Sequence, residues 1–173
     1  EHTNAEIVFD KFHVSKKINE AVDKIRKKEF AKADKEERIN MKHKRFLILS
    51  RRKNLKPEEV ESLDILMQQN NPLYVAYLMK EQGIDVFDET DPISGVARIH
   101  KWIDNVILTG IEEFNSVIET IKTYLYGIVN YFKYKITNAA SEGFNTKITV
   151  LKRRAYGFRD LEYFKLKILQ SCG

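Results

Sequence analysis

Cysteine, which many small proteins use for disulfides and metal sites, is almost absent from this chain. Cys172 is the single cysteine among 173 residues, so the sequence excludes both a disulfide framework and a thiolate metal site. No apolar run approaches the roughly 20 residues that span a bilayer, and no charged-then-apolar segment at the start indicates export. We therefore predict a protein that is not associated with a membrane and works in a reducing compartment, the cytoplasm.

Histidine is scarce as well. His2, His13, His43 and His100 show neither H-x-x-x-H nor C-x-x-C spacing, which argues against a structural zinc site. Apolar residues make up 43% of the chain, which is enough for one ordinary globular core. The 32% of charged residues agrees with a water-soluble protein.

The formal charge of +5 is modest, but the positive residues are concentrated in clusters. These clusters are Lys16, Lys17, Lys24, Arg26, Lys27 and Lys28; then Arg51, Arg52 and Lys53; and finally Lys152, Arg153 and Arg154. Such clusters suit a polyanionic partner, and solvated helix faces have the same sequence pattern. Both interpretations stay open at this point.

Helical periodicity dominates the chain after one short β-prone run. Residues 5–9 are predicted as a strand because Ile7, Val8 and Phe9 are consecutive β-prone apolar residues. Helices are predicted over residues 14–25, 57–70, 73–83, 91–106 and 110–132, with Pro57 and Asp91 as start signals. Residues 46–49 fit either a short helical turn or an extended piece.

The most informative stretch is residues 137–159, T-N-A-A-S-E-G-F-N-T-K-I-T-V-L-K-R-R-A-Y-G-F-R. Helical spacing puts Phe144, Ile148, Leu151 and Ala155 on one face, and Glu142, Asn145, Thr146, Thr149, Lys152 and Arg153 on another. We predict a helix that packs through the first face and meets an anionic partner through the second. Gly157 is the expected end of this helix, and Asp160 is the expected N-cap of a last one.

This stretch resembles the C-terminal signature of bacterial insertion-sequence transposases of the DDE type, specifically the ISL-three family. That signature reads T-N-A-x-x-E-G-x-N-x-K-I-K-x-x-K-R-R-A-Y-G-F-R. Residues 5–14 also resemble the family's strand that ends in D-x-F-H-V. The chain departs from the signature at Thr149, where the family has a lysine, and this weakens a phosphate contact at that position.

The resemblance implies an RNase H-like core in which two aspartates and one glutamate bind two divalent metal ions. We therefore expect a predominantly α fold: a helical insertion domain plus a C-terminal piece, one strand and two helices, of that α/β core. Residues 1–18 would hold the last core strand and the following turn, residues 19–133 the all-helical insertion, and residues 134–173 the glutamate helix and the C-terminal helix. The aspartates would lie upstream, so the chain is expected to be the C-terminal part of a longer protein.

Glu142 matches the catalytic, metal-binding glutamate of the family. Without the resemblance it would be a solvated glutamate favoured early in a helix by the helix dipole. The residues expected to contact DNA are Asn145, Lys147, Lys152, Arg153, Arg154 and Arg159, and for the basic ones a solvated face is the alternative.

Asp10 and His13 resemble a D-x-x-H motif that follows the last core strand in several DDE transposase groups. A carboxylate and an imidazole three residues apart at a strand-to-helix junction can hydrogen-bond each other and fix the turn, which is the preferred interpretation. A part in organising the edge of the active site is the alternative.

The implied parent enzyme would cut DNA at insertion-sequence ends with Mg²⁺ or Mn²⁺ and join the freed 3′ hydroxyl to a target. It would self-associate and work in the bacterial cytoplasm, at the nucleoid. The fragment would keep DNA and partner contacts, but no bound metal and no cleavage are expected, because one carboxylate cannot fix two ions. The rival hypothesis is a non-catalytic helical module for nucleic-acid binding or interaction.

The aromatic residues Tyr124, Tyr126, Tyr131, Phe132 and Tyr134, together with Trp102, are predicted to be core, because they occur at helical spacing beside isoleucines. Stacking on unpaired bases is the alternative.

Two further expectations concern the isolated chain. Its lone strand should be disordered, packed irregularly on the helices or paired with a second molecule, and Glu142 should be accessible to solvent.

Overall fold

The computed structural model of the protein describes residues 6–135, 139–154 and 161–172, and within the last two ranges the side chains of residues 146–153 and 162–170. The chain folds as two compact units, Glu1–Ile136 and Thr137–Gly173. The α-helices are α1 (Lys11–Lys32), α2 (Lys35–Met41), α3 (Arg45–Leu49), α4 (Pro57–Gln69), α5 (Asn71–Asp85), α6 (Pro92–Thr109), α7 (Asn115–Thr123), α8 (Leu125–Tyr134), α9 (Ala139–Arg154) and α10 (Leu161–Cys172). Short 3₁₀ turns cover Arg52–Asn54, Val86–Asp88 and Glu112–Phe114.

The prediction of a predominantly α fold is confirmed, but the predicted strand is wrong for the residues that the structure describes. Residues 6–10 are outside regular secondary structure. Instead of pairing with a strand, this segment bonds to α8: Phe9 N donates to the Gly127 carbonyl at 2.9 Å, and Asn130 Nδ2 donates to the Ile7 carbonyl at 2.9 Å. The helix thus satisfies part of the segment's backbone, which is the irregular packing on helices expected for the isolated chain.

Gly127 allows this close approach. A Cβ atom at this position would lie 3.0 Å from Phe9 Cβ and 3.1 Å from Phe9 N, closer than side chains normally pack. The position of the segment that leads into α1 therefore depends on a glycine at position 127 of α8, because a side chain there would crowd Phe9.

Helix α1 forms the centre of the first unit and packs along α5, with further contacts to α3 and α7. Its predicted apolar stripe is buried: Val14, Ile18, Ala21, Val22 and Ile25. Asp10 caps the helix by accepting a hydrogen bond from Phe12 N at 3.0 Å. The helix is continuous through residue 19. The division of the chain into residues 1–18 and 19–133 stays a prediction.

Several helix ends follow the sequence signals. Pro57 is the first residue of α4, and Asp91 caps α6 by accepting from Ser94 N at 2.7 Å. Gly110 ends α6 in the left-handed region, with φ at 66°. The long helical stretch predicted over residues 110–132 is instead divided, because α7 ends at Thr123 and α8 begins at Leu125.

The core prediction for the aromatic residues is correct for three of them. Trp102 is 3% exposed, and its Nε1 donates to the Met79 carbonyl at 2.7 Å. Tyr131 and Phe132 are also buried. The prediction is wrong for the other three, because Tyr124, Tyr126 and Tyr134 are 48%, 65% and 42% exposed. The buried stripe of Ile121, Ile128 and Phe132 keeps its helical spacing, and Tyr126 and Tyr134 lie off it, while Tyr124 lies at the break between α7 and α8.

A fully buried lysine joins α5 to α3. Lys80 has no exposed surface, and its Nζ donates to the carbonyls of Ile48, at 3.0 Å, and Ser50 at the end of α3. The same ammonium lies 2.9 Å from Glu81 Oε1 and 4.2 Å from the centre of the Tyr77 ring. Burial lowers the pKa of Lys80, partly opposed by the hydrogen bond to Glu81. A helix of five residues thereby gains partners for carbonyls that it cannot satisfy itself.

Ion pairs neutralise much of the first basic cluster. Asp23 on α1 accepts from Arg26 Nε at 2.8 Å and from Arg45 Nε at 3.1 Å, and Lys27 Nζ lies 3.1 Å from its second oxygen. Burial raises the pKa of Asp23, but the hydrogen bonds from Arg26 and Lys27 outweigh it and hold the pKa below its usual value. Lys28 likewise pairs with Glu113, and this hydrogen bond lowers the pKa of Glu113.

The second basic cluster is paired as well. Arg51 contacts Asp85 and lies 3.0 Å from Asp88, Lys53 lies 3.1 Å from Asp88, and Arg52 binds both oxygens of Asp64 at 2.6 and 2.7 Å. The partners come from α4, α5 and the 3₁₀ turn that follows α5. These cations therefore hold the segment between α3 and α4 against the rest of the unit.

We expect Lys80→Met to destabilise the first unit by about 3 kcal/mol, because it leaves two buried carbonyls and a carboxylate without their shared partner. Urea denaturation followed by circular dichroism measures the change. Lys101→Met, on the exposed side of α6, is the control and should cost almost nothing. A Lys80→Met protein as stable as the unchanged chain would contradict the structural role of the ammonium.

We expect Asp23→Asn to cost about 2 kcal/mol near neutral pH, because three cations lose their shared negative charge. The folded-state pKa of Asp23 is lowered, so its stabilising contribution is complete above the unfolded value of about 3.9 and is lost as the pH falls through the lower folded value. The stability difference between the two proteins should therefore shrink below about pH 4. Asp104→Asn, an exposed carboxylate on α6, is the control; a pH-independent difference for Asp23→Asn would refute the assignment.

Candidate nucleic-acid interface

Helix α9 carries the largest group of predicted site residues. Its described side chains agree with the two faces predicted from spacing. Ile148 and Leu151 are half-buried, whereas Thr146, Thr149, Lys152 and Arg153 are exposed. Helix α10 packs against α9 and contributes the half-buried residues Phe164, Lys167 and Ile168. The apolar stripe of α9 is thus used for packing, and its polar face meets solvent.

The exposed cations of α9 do not all share one direction. Thr149 and Arg153 lie on the face opposite the packed stripe, whereas Lys152 follows Ile148 by four residues and lies beside the stripe. Lys147 precedes Arg153 by six residues, which rotates it about 120° away around the helix axis. Among the described residues no carboxylate pairs with Lys147, Lys152 or Arg153. Their charge is therefore available to an external anion.

The excess positive charge of the chain lies mostly in the second unit. Thr137–Gly173 contains seven of the 30 Lys and Arg residues but only three of the 25 Asp and Glu residues, which gives it a formal charge of +4. Glu1–Ile136 has the remaining 23 basic and 22 acidic residues and a formal charge of +1. Since the first unit also pairs part of its first basic cluster and all of its second cluster internally, the second unit is the stronger candidate for binding a polyanion.

Asp10 and His13 lie in the first unit, at the start of α1. Asp10 is 5% exposed, and its carboxylate fixes the turn by capping the helix at Phe12 N. His13 is exposed, and its ring centre lies 5.5 Å from that of Phe9. This geometry supplies a structural role for Asp10, while a role at the edge of an active site stays a prediction.

Some predicted site residues lie outside the described side chains. The backbone of Glu142, Asn145 and Arg154 belongs to α9, but their side chains fall outside the described set, and Arg159 falls outside it entirely. The expectation that Glu142 is accessible to solvent, and the caps assigned to Gly157 and Asp160, lie outside it too.

A divalent metal would need a group of converging oxygen ligands. Within the described residues no group of three His, Cys, Asp or Glu side chains could hold a metal ion. None of the helices in the described part of the chain combines the length and the apolar composition that a membrane span requires.

Two curated proteins are similar in sequence. The chain is 35% identical over 167 residues to the "Transposase for insertion sequence element IS1001" of Bordetella parapertussis, an alignment that covers 95% of this chain and 41% of that protein. It is 30% identical over 115 residues to a protein of Lactococcus lactis subsp. lactis named "ATP-dependent protease", covering 66% of this chain and 36% of that protein. The chain spans less than half the length of either relative.

No solved structure matches the chain. A family model described as "Transposase", of the ISL-three type, matches residues 1–168 and so includes both units. This match extends over the segment before α1, the helices of the first unit and the α9–α10 pair. The chain belongs to the ISL-three family of transposases.

Proposed function

We propose that this chain is the glutamate-bearing, DNA-contacting part of a DDE transposase that cuts and joins DNA at insertion-sequence ends. One observation carries the proposal: the second unit has a formal charge of +4, and the exposed Lys147, Lys152 and Arg153 lie on the helix that also contains Glu142. Helical spacing puts Glu142 on the same face as Thr149 and Arg153. A single helix would thus bring a carboxylate and phosphate-binding groups to one stretch of DNA.

The cations of α9 suit the DNA backbone. Arg153 offers a planar fork of donors that matches phosphate oxygens, and Lys152 offers a compact point charge. Such contacts position a protein on DNA without reading its sequence. Asn145, Lys147, Arg154 and Arg159 are proposed as further DNA contacts on the basis of the family signature. Lys147 is the weakest candidate, because it points away from both Lys152 and Arg153.

The catalytic part of the proposal assigns Glu142 as a ligand of Mg²⁺ or Mn²⁺. When bound, such ions would polarise the attacking and leaving oxygens of a phosphoryl transfer. A complete site needs further carboxylates, which the RNase H-like core of the whole protein would supply. The assignment of residues 1–18 and 134–173 to that core, with residues 19–133 as a helical insertion, is part of the same proposal, as are self-association and work at the bacterial nucleoid.

The rival function is a non-catalytic helical module that binds nucleic acid or another partner. The exposed Thr149, Lys152 and Arg153 of α9 would serve such a module equally well. The two functions differ in what they predict for the whole protein. Glu142→Gln should abolish DNA cutting and keep DNA binding if the glutamate is catalytic, whereas the rival predicts no cutting with either residue.

We expect the chain of 173 residues to show no cleavage of supercoiled plasmid with Mg²⁺ or Mn²⁺, since Glu142 alone cannot fix two ions. Agarose gel electrophoresis of the plasmid detects nicking. Metal-dependent nicking that disappears in Glu142→Gln would contradict this expectation and would place a complete site within the chain.

We expect the chain to bind duplex DNA weakly, without sequence preference and with a steep dependence on salt. The double variant Lys152→Gln/Arg153→Gln should lower the affinity, and the slope of log K against log salt should become shallower by about 1 to 2. Fluorescence anisotropy with a labelled duplex measures both.

The matched control is Lys35→Gln/Lys42→Gln, which removes two exposed lysines of the first unit. If both double variants weaken binding equally, the interaction follows net charge alone. The proposed role of α9 would then fail.

A further inference from the structure

An aromatic surface lies at the start of α1, where Phe9 packs against the edge of the core and its ring neighbours extend into solvent. Its rings belong to Phe9, Phe12, His13 and Tyr124. Phe9 stacks on Tyr124 with ring centres 4.4 Å apart and planes 9° apart. His13 lies 5.5 Å from Phe9 and 6.0 Å from Phe12, so the four rings form a continuous series.

Two of these rings keep about half of their surface in water. Phe12 is 49% exposed and Tyr124 is 48% exposed, and His13 is exposed as well. Tyr126, two residues after Tyr124, is 65% exposed. Exposed aromatic rings that adjoin one another, unlike scattered ones, indicate a surface that binds something.

The aromatic surface is followed by positive charge on the same side of α1. Lys16 lies one helical turn after Phe12, and Lys17 lies one turn after His13, a spacing that puts the Cβ atoms of each pair about 6 Å apart. Both lysines are exposed, and neither forms an ion pair among the described residues. Glu20, one turn further, is the nearest exposed carboxylate on this face.

The backbone that carries two of these rings is held by hydrogen bonds before any partner binds. Phe9 is fixed through its backbone bond to Gly127, and Phe12 is fixed because its backbone N donates to the Asp10 cap. Asp10 itself is buried, so its negative charge does not face the partner surface. Such preorganisation reduces the entropy lost on binding.

We propose that the aromatic surface binds unpaired DNA bases by stacking, while Lys16 and Lys17 bind the phosphates of the same strand. The alternation of flat apolar rings and cations matches a single strand, which offers base faces and a charged backbone together. A duplex hides its base faces and would engage only the lysines. The inference rests on the proposed function for the identity of the nucleic acid, and it adds unpaired DNA as the substrate of a second surface.

The test measures the affinity of the full chain of 173 residues for a labelled single-stranded oligodeoxythymidine and for a duplex of equal length, by fluorescence anisotropy. Phe12→Ala should weaken single-strand binding about tenfold, the contribution of one stacked base, and leave duplex binding unchanged. An oligonucleotide containing 2-aminopurine reports stacking directly, and its fluorescence change on binding should diminish in Phe12→Ala.

Phe46→Ala is the matched control, since Phe46 is 70% exposed on α3 and lies outside the aromatic surface. It should leave single-strand binding unchanged. Lys16→Gln/Lys17→Gln should weaken single-strand binding and reduce its salt slope by about 1.

Equal effects of Phe12→Ala and Phe46→Ala, or no binding of the single strand, would overturn the inference. Neither result depends on the duplex contacts proposed for α9, which Lys152→Gln/Arg153→Gln tests separately. Circular dichroism of each variant verifies that the helices are intact.

Discussion

Three helices meet at Gly83, where no side chain fits. A Cβ on this residue of α5 would lie 2.8 Å from the ring of Trp102 on α6 and 3.0 Å from Ile18 Cδ1 on α1. The absence of a side chain lets α5 lie close to both neighbours, and the buried stripe of α1 can then pack along its length. The charged surface of the first unit depends on this packing, because α1 and α5 carry many of its ion-paired residues.

Much of the fold could be predicted from local signals. The apolar stripe of α1, the proline start of α4 and the Asp91 cap are all encoded within a few residues, so periodicity and capping rules suffice. The strand prediction is wrong because the pairing of a strand depends on tertiary contacts, which the local sequence does not encode. Residues 6–9 have β-prone side chains, but α8 offers the carbonyl of Gly127 and the amide of Asn130 instead. The hydrogen-bond partners that the tertiary structure offers therefore override the local β propensity of this segment.

The candidate site was less predictable, and the reason is electrostatic. The three basic clusters look alike in sequence, yet Lys28 of the first cluster and the cations of the second are paired with carboxylates that lie far away along the chain, such as Glu113 and Asp85. Nothing local distinguishes them from the cations of α9. The exposure of Tyr124 could not be predicted for a related reason, because Tyr124 lies between α7 and α8, at a helix break that carries no proline or glycine signal.

The buried ammonium of Lys80 has a consequence for how the first unit comes apart. Helix α3 has five residues, too few to persist alone, and two carbonyls at its C-terminal end are bound by a side chain of α5. Helix α3 therefore exists only while α5 is folded, and local fraying of the short helix is coupled to opening of the longer one. Helix α3, which has little helical stability of its own, therefore unfolds cooperatively with the core.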